Sequence, residues 1–167
     1  MNLYRFSPID SKDALLGAIE YVAVQCSALF QSQDMKIRDN LIKSLTVFSH
    51  YLDEYEHLKD ISSELGTIDR EHNGPFYKLS DPISIEMAKP DTGMSLASSV
   101  EYFRIRKPDP YRGQVGCCDF EVTSSEKKSM FDINSDNDRS PRLITRPDIR
   151  MLEFFDPDLD VLGYIVK

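Results

Sequence analysis

Two segments of the chain predict the same order of secondary-structure elements, and this repetition constrains the fold more than any single motif. Each segment starts with a strand candidate rich in β-branched and aromatic residues, continues with a short helix and ends with three short strands. The first segment covers residues 44–108 and the second covers residues 115–167. Their residue-level similarity is slight, so the repeat is one of pattern rather than of sequence.

The first segment predicts a strand at 44–51, a helix at 53–65 and strands near 76–79, 82–86 and 101–107. The second predicts a strand at 115–122, a helix at 124–132 and strands at 142–145, 150–155 and 161–166. Pro, Gly and Ser in residues 89–99, and Asp and Asn in residues 135–141, predict loops. Asp53 is a suitable N-cap for the first predicted helix, and Gly66 a suitable stop.

Residues 1–43 precede the repeat and predict an added helix followed by a polar connector. Asp10 and Ser11 offer N-cap side chains, and apolar residues then recur at three- and four-residue intervals as far as Phe30. The prediction is therefore one α+β domain with two strand–helix–three-strand units and an N-terminal helix. A chain of 167 residues is long enough to bury one substantial core.

The net charge and the composition limit the binding partners and the cellular compartment that the sequence favours. A formal charge of −8 argues against a nucleic-acid partner, because the phosphate backbone requires a basic field. The sequence shows no apolar run near the ~20 residues of a membrane span, and its first ten residues do not resemble a signal peptide. Three cysteines without framework spacing favour a reducing compartment. We therefore expect a cytoplasmic protein with no membrane partner.

The stretch from Val100 to Val122 places Arg104, Arg106, Asp119 and Glu121 on predicted strands. Charged side chains seldom accept burial without a partner, so these residues line either a polar cavity or an exposed face. One interpretation is cross-strand pairing between the arginines and the carboxylates, which contributes roughly 0.2–1 kcal/mol per pair and requires no ligand. The other is a ligand cavity with the arginines as anchors, since a guanidinium binds a carboxylate or phosphate through two hydrogen bonds.

Cys117 and Cys118 are adjacent, whereas the cysteines of a zinc site are separated by two or more residues. Neighbouring side chains of a strand point to opposite faces. We expect one of these thiols in the core and the other on the opposite face, rather than a redox or metal site.

The pattern of two βαβββ modules resembles the vicinal oxygen chelate superfamily of glyoxalases and extradiol dioxygenases. Residues 73–86, NGPFYKLSDPISIE, and residues 100–122 with their PDPY turn resemble the YecM-like proteins, small bacterial proteins of that fold with no settled activity. This similarity runs from about residue 12 to the mid-120s. The final DPD and LDVLGYIV also resemble a DPDG turn and last strand of the superfamily, with Leu159 in place of the glycine.

The resemblance implies a divalent metal held by His or Glu from the first and last strands of the modules. The candidates are Asp119 and Glu121 on the first strand of the second module, Glu101 on the last strand of the first module, and His50. His50 lies near the end of its strand, whereas Leu45 or Thr46 stands at the expected position. Tyr164 or its neighbour Gly163 occupies the usual position of the last glutamate, so the ligand set is incomplete.

Three functions follow as hypotheses. The first is binding of a small anionic or polar ligand in a sheet-lined cup through Arg104, Arg106, Asp119 and Glu121. The second is a metal-dependent isomerase, lyase or dioxygenase, and the third is a non-catalytic protein-interaction module. We expect a monomer or a homodimer. No particular reaction is predicted, so the sequence leaves open whether the protein is an enzyme.

Overall fold

The computed structural model describes residues 8–88, 95–132 and 140–167, which form an α+β fold with one mixed sheet of eight strands and three helices. The helices are α1 (Lys12–Ser32), α2 (Leu52–Leu65) and α3 (Ser124–Asp132). The strands are β1 (Ile42–Phe48), β2 (Gly66–Glu71), β3 (Pro75–Ala88), β4 (Ser95–Arg106), β5 (Gly116–Phe120), β6 (Arg142–Thr145), β7 (Arg150–Phe154) and β8 (Val161–Val166).

The sheet has two halves with the same internal connectivity, in the strand order β2-β3-β4-β1-β5-β8-β7-β6. In each half the first strand pairs in parallel with the last, β1 with β4 and β5 with β8. The halves join through the antiparallel pair of β1 and β5, where Ser44 lies opposite Asp119 and Thr46 opposite Cys117. This central pair brings residues from both halves side by side.

Helix α1 begins where the sequence predicts, because the Ser11 hydroxyl accepts a hydrogen bond from the Ala14 amide at 3.3 Å. Its apolar stripe is fully buried against the sheet, with Leu15, Ile19 and Val22 at 0% exposure. By length and hydropathy this helix also passes the test for a membrane span, which we did not expect from the sequence. A buried core helix passes the same test.

Alternation along the central strands decides which residues meet the helices. Leu45 and Val47 of β1, with Phe103 and Ile105 of β4, belong to the main core shared with α1. The residues between them in β1, such as Thr46, point to the other face, because strand side chains alternate.

A buried carboxylate fixes the start of α2. Glu54 is 4% exposed, and its two oxygens accept hydrogen bonds from the amides of Ile9 at 3.2 Å and His50 at 2.9 Å. The contact joins the segment before α1 to the turn that follows β1. Replacement of this carboxylate would leave two backbone donors without their partner.

Several predicted elements are confirmed, most closely the helix at 124–132 and the strands at 142–145 and 161–166. The predictions were wrong in the first half. The structure has an additional strand, β2, and one continuous β3 where we expected two short strands. The predicted loop at 89–99 includes the beginning of β4, while residues 89–94 and 133–139 lie outside the described residues.

The expected charge pairing across neighbouring strands is also wrong. One of the two interpretations was that Asp119 and Glu121 pair with Arg104 and Arg106, which requires β4 and β5 to be adjacent. Strand β1 lies between them, because it pairs with β4 on one side and with β5 on the other. The pairing therefore does not explain the arginines.

Candidate functional site

The sheet face that points away from α1 and α2, called the open face below, carries the candidate site. Phe48, Cys117 and Leu162 form a second apolar cluster there, with Phe155 and Tyr164 packed against it. Phe48 is 4% exposed and Cys117 is 6% exposed, so neighbouring side chains shield this part of the face from water. The cluster joins strands from both halves and forms an apolar floor.

Two guanidinium groups lie over one ring of that floor. The Cζ atoms of Arg106 and Arg112 lie 5.1 and 5.2 Å from the centroid of the Phe48 ring. Burial lowers the pKa of Arg106, and the like charge of Arg112 lowers it further. The two cations thus share one partly buried site, where each disfavours the charge of the other.

The turn after β4 places Arg112, and the sequence PDP at 108–110 explains its shape. The Asp109 side chain accepts a hydrogen bond from the Tyr111 amide at 3.3 Å, and the Asp109 carbonyl accepts one from the Arg112 amide at 3.2 Å. Aspartate commonly stabilises turns in this way. The Arg112 side chain lies 3.6 Å from the Asp109 carboxylate, and a His50 ring nitrogen contacts the Arg112 carbonyl at 3.2 Å.

Arg104 continues the row of cations on β4. Its Nε donates to the Thr46 hydroxyl at 3.3 Å, and its Nη1 donates to the His72 carbonyl at 3.4 Å. Further along the same face, the Arg70 guanidinium lies over the Phe76 ring at 4.3 Å. These partners are neutral, so they position the guanidinium groups without neutralising them.

A further polar group on this face, not predicted from the sequence, consists of Glu153, Tyr164 and Arg142. Glu153 is 6% exposed, and its Oε2 accepts a hydrogen bond from the Tyr164 hydroxyl at 2.8 Å. Its Oε1 accepts from the Arg142 Nε at 2.6 Å, and the same oxygen forms an ion pair with Nη2. Burial raises the pKa of Tyr164 well above its ordinary value. The register of β6, β7 and β8 brings the three residues together, and no local motif indicates it.

Asp119 lies at the centre of the open face, opposite Ser44. The Ser44 hydroxyl donates to its Oδ2 at 3.1 Å. Solvent reaches this carboxylate, yet the protein atoms around it remove much of its hydration, and this burial raises the pKa of Asp119 despite the hydrogen bond and the charge of Arg104. Burial likewise raises the pKa of the Cys117 thiol to about 12.

The predicted placement of the two thiols on opposite faces is confirmed, since Cys117 belongs to the open-face cluster and Cys118 to the main core. Both are buried free thiols. With its pKa near 12, the Cys117 thiol stays protonated at neutral pH and is a poor nucleophile.

The structure brings Arg104, Arg106 and Asp119 together on the open face, and Glu121 lies at its margin. The Glu121 amide follows the end of β5 and donates to the Leu41 carbonyl at 2.8 Å. Glu121 and Glu101 line a pocket of about 290 Å³ with Lys43, which forms an ion pair with Glu101 at 3.4 Å.

The four metal candidates do not converge. Among residues 8–88, 95–132 and 140–167, no group of three His, Cys, Asp or Glu side chains is placed to hold a metal ion. Glu121 lies beside the start of β1 and His50 follows its end. The seven residues of that strand separate its ends by about 20 Å, at roughly 3.3 Å per residue.

A pocket of about 520 Å³ opens beside the Phe48 ring, between the turn after β4 and the strands β6 and β7. Its volume falls within the range of roughly 300–1,000 Å³ that is typical of small-molecule sites. The lining residues are Asp109, Tyr111, Arg112, Gly113, Gln114, Arg142, Glu153, Phe155 and Leu162.

Comparison with known proteins supports the fold alone. No protein-family model matches the chain, and no curated protein matches it. A solved structure described as structural genomics protein EC4020 superposes with a TM-score of 0.61 at 10% sequence identity. The match covers 99% of this chain and 92% of that one. At such low identity the similarity extends to the arrangement of the chain and not to the site.

Proposed function

We propose that this chain is a vicinal-oxygen-chelate-type protein, related to the YecM-like group, that binds a small anionic ligand on its open face. Arg106 anchors the anion together with Arg104, two residues earlier on the same face, and Asp119 supplies a polar contact beside Arg104. Glu121 lies beside the opposite end of β1 from Arg106, so it is too distant to contact the same small ligand. The repeated connectivity of the two halves of the sheet supports the fold assignment.

The observation that carries the proposal is that Arg106 forms no ion pair among the described residues, while the charge of Asp109 only partly offsets the burial and the repulsion by Arg112 that lower its pKa. In the described part of the chain, no carboxylate oxygen lies within 4.0 Å of the guanidinium of Arg106 or Arg104. Instead, Arg106 shares the Phe48 ring with Arg112. Partly buried cations normally have a counter-charge, and a bound anion would supply it.

The net negative charge of the protein makes a cluster of arginines on one face stronger support for an anion site. The protein has a formal charge of −8, yet among the described residues of its open face the five cations Arg70, Arg104, Arg106, Arg112 and Arg142 outnumber the three carboxylates Asp109, Asp119 and Glu153. Such a local excess of cations attracts small anions to a protein that repels them elsewhere. A carboxylate or phosphate suits the site, since guanidinium groups bind both through paired hydrogen bonds.

A ligand held in this way needs no metal ion. The described donors do not form a metal-binding group, so the metal-dependent hypothesis gains no support from their geometry. Asp119 has the raised pKa that is common at functional sites, and its place near Arg104 makes it a polar contact for a ligand that carries a proton donor.

The test is a titration with acetate, inorganic phosphate and the neutral analogue acetamide at constant ionic strength, followed by calorimetry and thermal shift. We expect the anions to bind saturably and acetamide not to bind. Arg106→Gln removes a charged hydrogen-bond donor, which is worth roughly 1.5–3 kcal/mol, and should weaken anion binding more than tenfold.

Arg146→Gln is the matched control, because Arg146 is an exposed arginine in the turn between β6 and β7. Its binding should equal that of the wild type. Equal responses to acetate and acetamide would contradict the proposal, as would anion binding that is unaffected by both Arg104→Gln and Arg106→Gln.

A further inference from the structure

The pocket of about 520 Å³ beside the arginine pair has a lining that restricts the kind of ligand body it can accept. Most of its side chains are polar and planar: Asp109, Arg112, Gln114, Arg142 and Glu153. An apolar body would cover these groups without offering them hydrogen bonds, which is unfavourable. The pocket therefore selects a body with several hydrogen-bonding groups of its own.

The lining offers acceptors and donors in about equal number, which is the pattern that hydroxyl groups satisfy. Oε1 of Glu153 already contacts two nitrogens of Arg142, whereas Oε2 accepts only from the Tyr164 hydroxyl and has a second lone pair for a ligand hydroxyl. Asp109 provides a second acceptor, and Arg112 and Gln114 provide donors. A hydroxyl both donates and accepts, so neighbouring hydroxyls can bind such mixed pairs.

Two aromatic rings line the pocket, and the exposed ring of Tyr111 offers a face for the C–H surface of a ligand. Phe155 lies under the Arg142 guanidinium at 5.3 Å, on the inner side of the pocket. Tyr111 stands on the rim and is 97% exposed, so its ring contributes almost nothing to folding. A ligand with hydroxyl edges and a C–H face matches both the Tyr111 ring and the polar side chains.

The arginines and carboxylates around the pocket favour a ligand with one negatively charged group. Arg142 is balanced by Glu153, and Arg112 lies 3.6 Å from Asp109, whereas Arg106 has no carboxylate within 4.0 Å in the described part of the chain. We propose that the pocket takes the polyhydroxylated body of a small anion, a sugar acid or a sugar phosphate, whose charged group lies at Arg106 and Arg112. This inference rests on the proposed function and names its ligand class.

The test compares gluconate with acetate, glucose 6-phosphate with inorganic phosphate, and both with neutral glucose, by calorimetry at constant ionic strength. At least one polyhydroxylated anion should bind tenfold or more tightly than its simple counterpart, and glucose should bind more weakly than either. A larger gain in affinity from acetate to gluconate identifies the charged group as a carboxylate. A larger gain from inorganic phosphate to glucose 6-phosphate identifies it as a phosphate.

Gln114→Ala and Tyr111→Ala test the pocket itself. Each should weaken binding of the polyhydroxylated anion by about 2- to 10-fold, the loss expected for one neutral contact, and leave binding of the simple anion unchanged. Tyr51→Ala removes another exposed tyrosine, 58% exposed, and serves as the control.

The outcomes separate the two proposals. If acetate or phosphate binds through Arg106 but the polyhydroxylated anions bind no more tightly, the ligand class is wrong and the anion site remains. If no probe binds in a way that depends on Arg106, both proposals are wrong.

Discussion

Replacement of Arg106 by methionine should not destabilise the free protein, although the side chain is partly buried and packs on a ring. Burial and the like charge of Arg112 both disfavour its cation in the folded state, and together they lower the pKa of Arg106. Because the folded-state pKa lies below the unfolded value, the charged form is penalised on folding at neutral pH. Methionine keeps much of the apolar stem and removes the charge.

The size of the repulsion between Arg106 and Arg112 follows from their distances to the Phe48 ring. The two guanidinium carbons are 5.1 and 5.2 Å from the Phe48 centroid, so they are at most about 10 Å apart. Two unit charges at about 10 Å repel each other by roughly 0.4 kcal/mol at the dielectric constant of water and 1.7 kcal/mol at an effective value near 20. Loss of the contact with the ring offsets part of this gain, by about 0.5–1 kcal/mol.

A double-mutant cycle isolates the repulsion from the ring contact. Urea unfolding of the wild type, Arg106→Met, Arg112→Met and the double variant gives the coupling free energy directly. Each single substitution removes the same repulsion between Arg106 and Arg112, and the double variant can lose that repulsion only once. We therefore expect the double variant to be less stable than the sum of the two single effects by about 0.4–1.7 kcal/mol. High salt should reduce this coupling, since it screens the charges.

Arg146→Met is the control for the loss of an exposed arginine and should change the unfolding free energy by less than about 0.5 kcal/mol. The reasoning is refuted if Arg106→Met alone lowers the unfolding free energy by more than about 1 kcal/mol, or if the coupling has the opposite sign. Either result would show that Arg106 is a stabilising structural residue.

Three further substitutions test the account of the fold and the site. Asp119→Asn should be more stable than the wild type at pH 7, because the raised folded-state pKa penalises the charged carboxylate; the advantage should disappear as the pH falls towards 3.8, as measured by thermal unfolding. Gly163→Ala would place a Cβ 2.3 Å from the Phe120 ring and should cost about 1–3 kcal/mol in urea unfolding; a neutral effect would contradict the packing. Thr123→Ala removes the hydroxyl that caps α3 at the Glu126 amide, 3.3 Å away, and should cost about 0.5–2 kcal/mol, whereas Ser125→Ala should have a smaller effect.

The helix α1 and the second half of the sheet were predictable because their patterns are strong and local. The apolar spacing up to Phe30 and the Ser11 cap fix α1, and VLGYIV is a short apolar run with β-branched and aromatic residues, which is typical of a buried strand. Strand β2 was missed because nearly all of its residues are exposed, so the sequence GTIDRE has no apolar face to reveal it. It is held at the edge of the sheet by β3 alone.

Proline explains the other error in the first half. Pro82 separates two apolar stretches, and proline usually ends a strand. In the structure the register of β3 against β4 shifts between Lys78 and Ile83, so the proline lies at an irregularity within a continuous strand. Gly66 does end α2 as predicted, and it also begins β2, where a side chain would meet the Lys78 carbonyl at 2.1 Å.

The site was predictable only in part, because its members meet through strand register. Alternation correctly puts Arg104 and Arg106 on one face, but no pattern in the sequence places β1 between β4 and β5. Arg112 lies in the turn after β4, where strand alternation gives no prediction, and its position over Phe48 depends on the turn at Asp109.

The most direct test of the anion site is a phosphate titration observed by NMR at the arginine Nε–Hε groups, with Arg106, Arg112 and Arg146 assigned by substitution. The account predicts saturable shifts of the Arg106 and Arg112 signals with one common dissociation constant, while the Arg146 signal stays in place. Small shifts of all three signals that rise linearly with phosphate would show only nonspecific screening and would contradict an anion site on the open face.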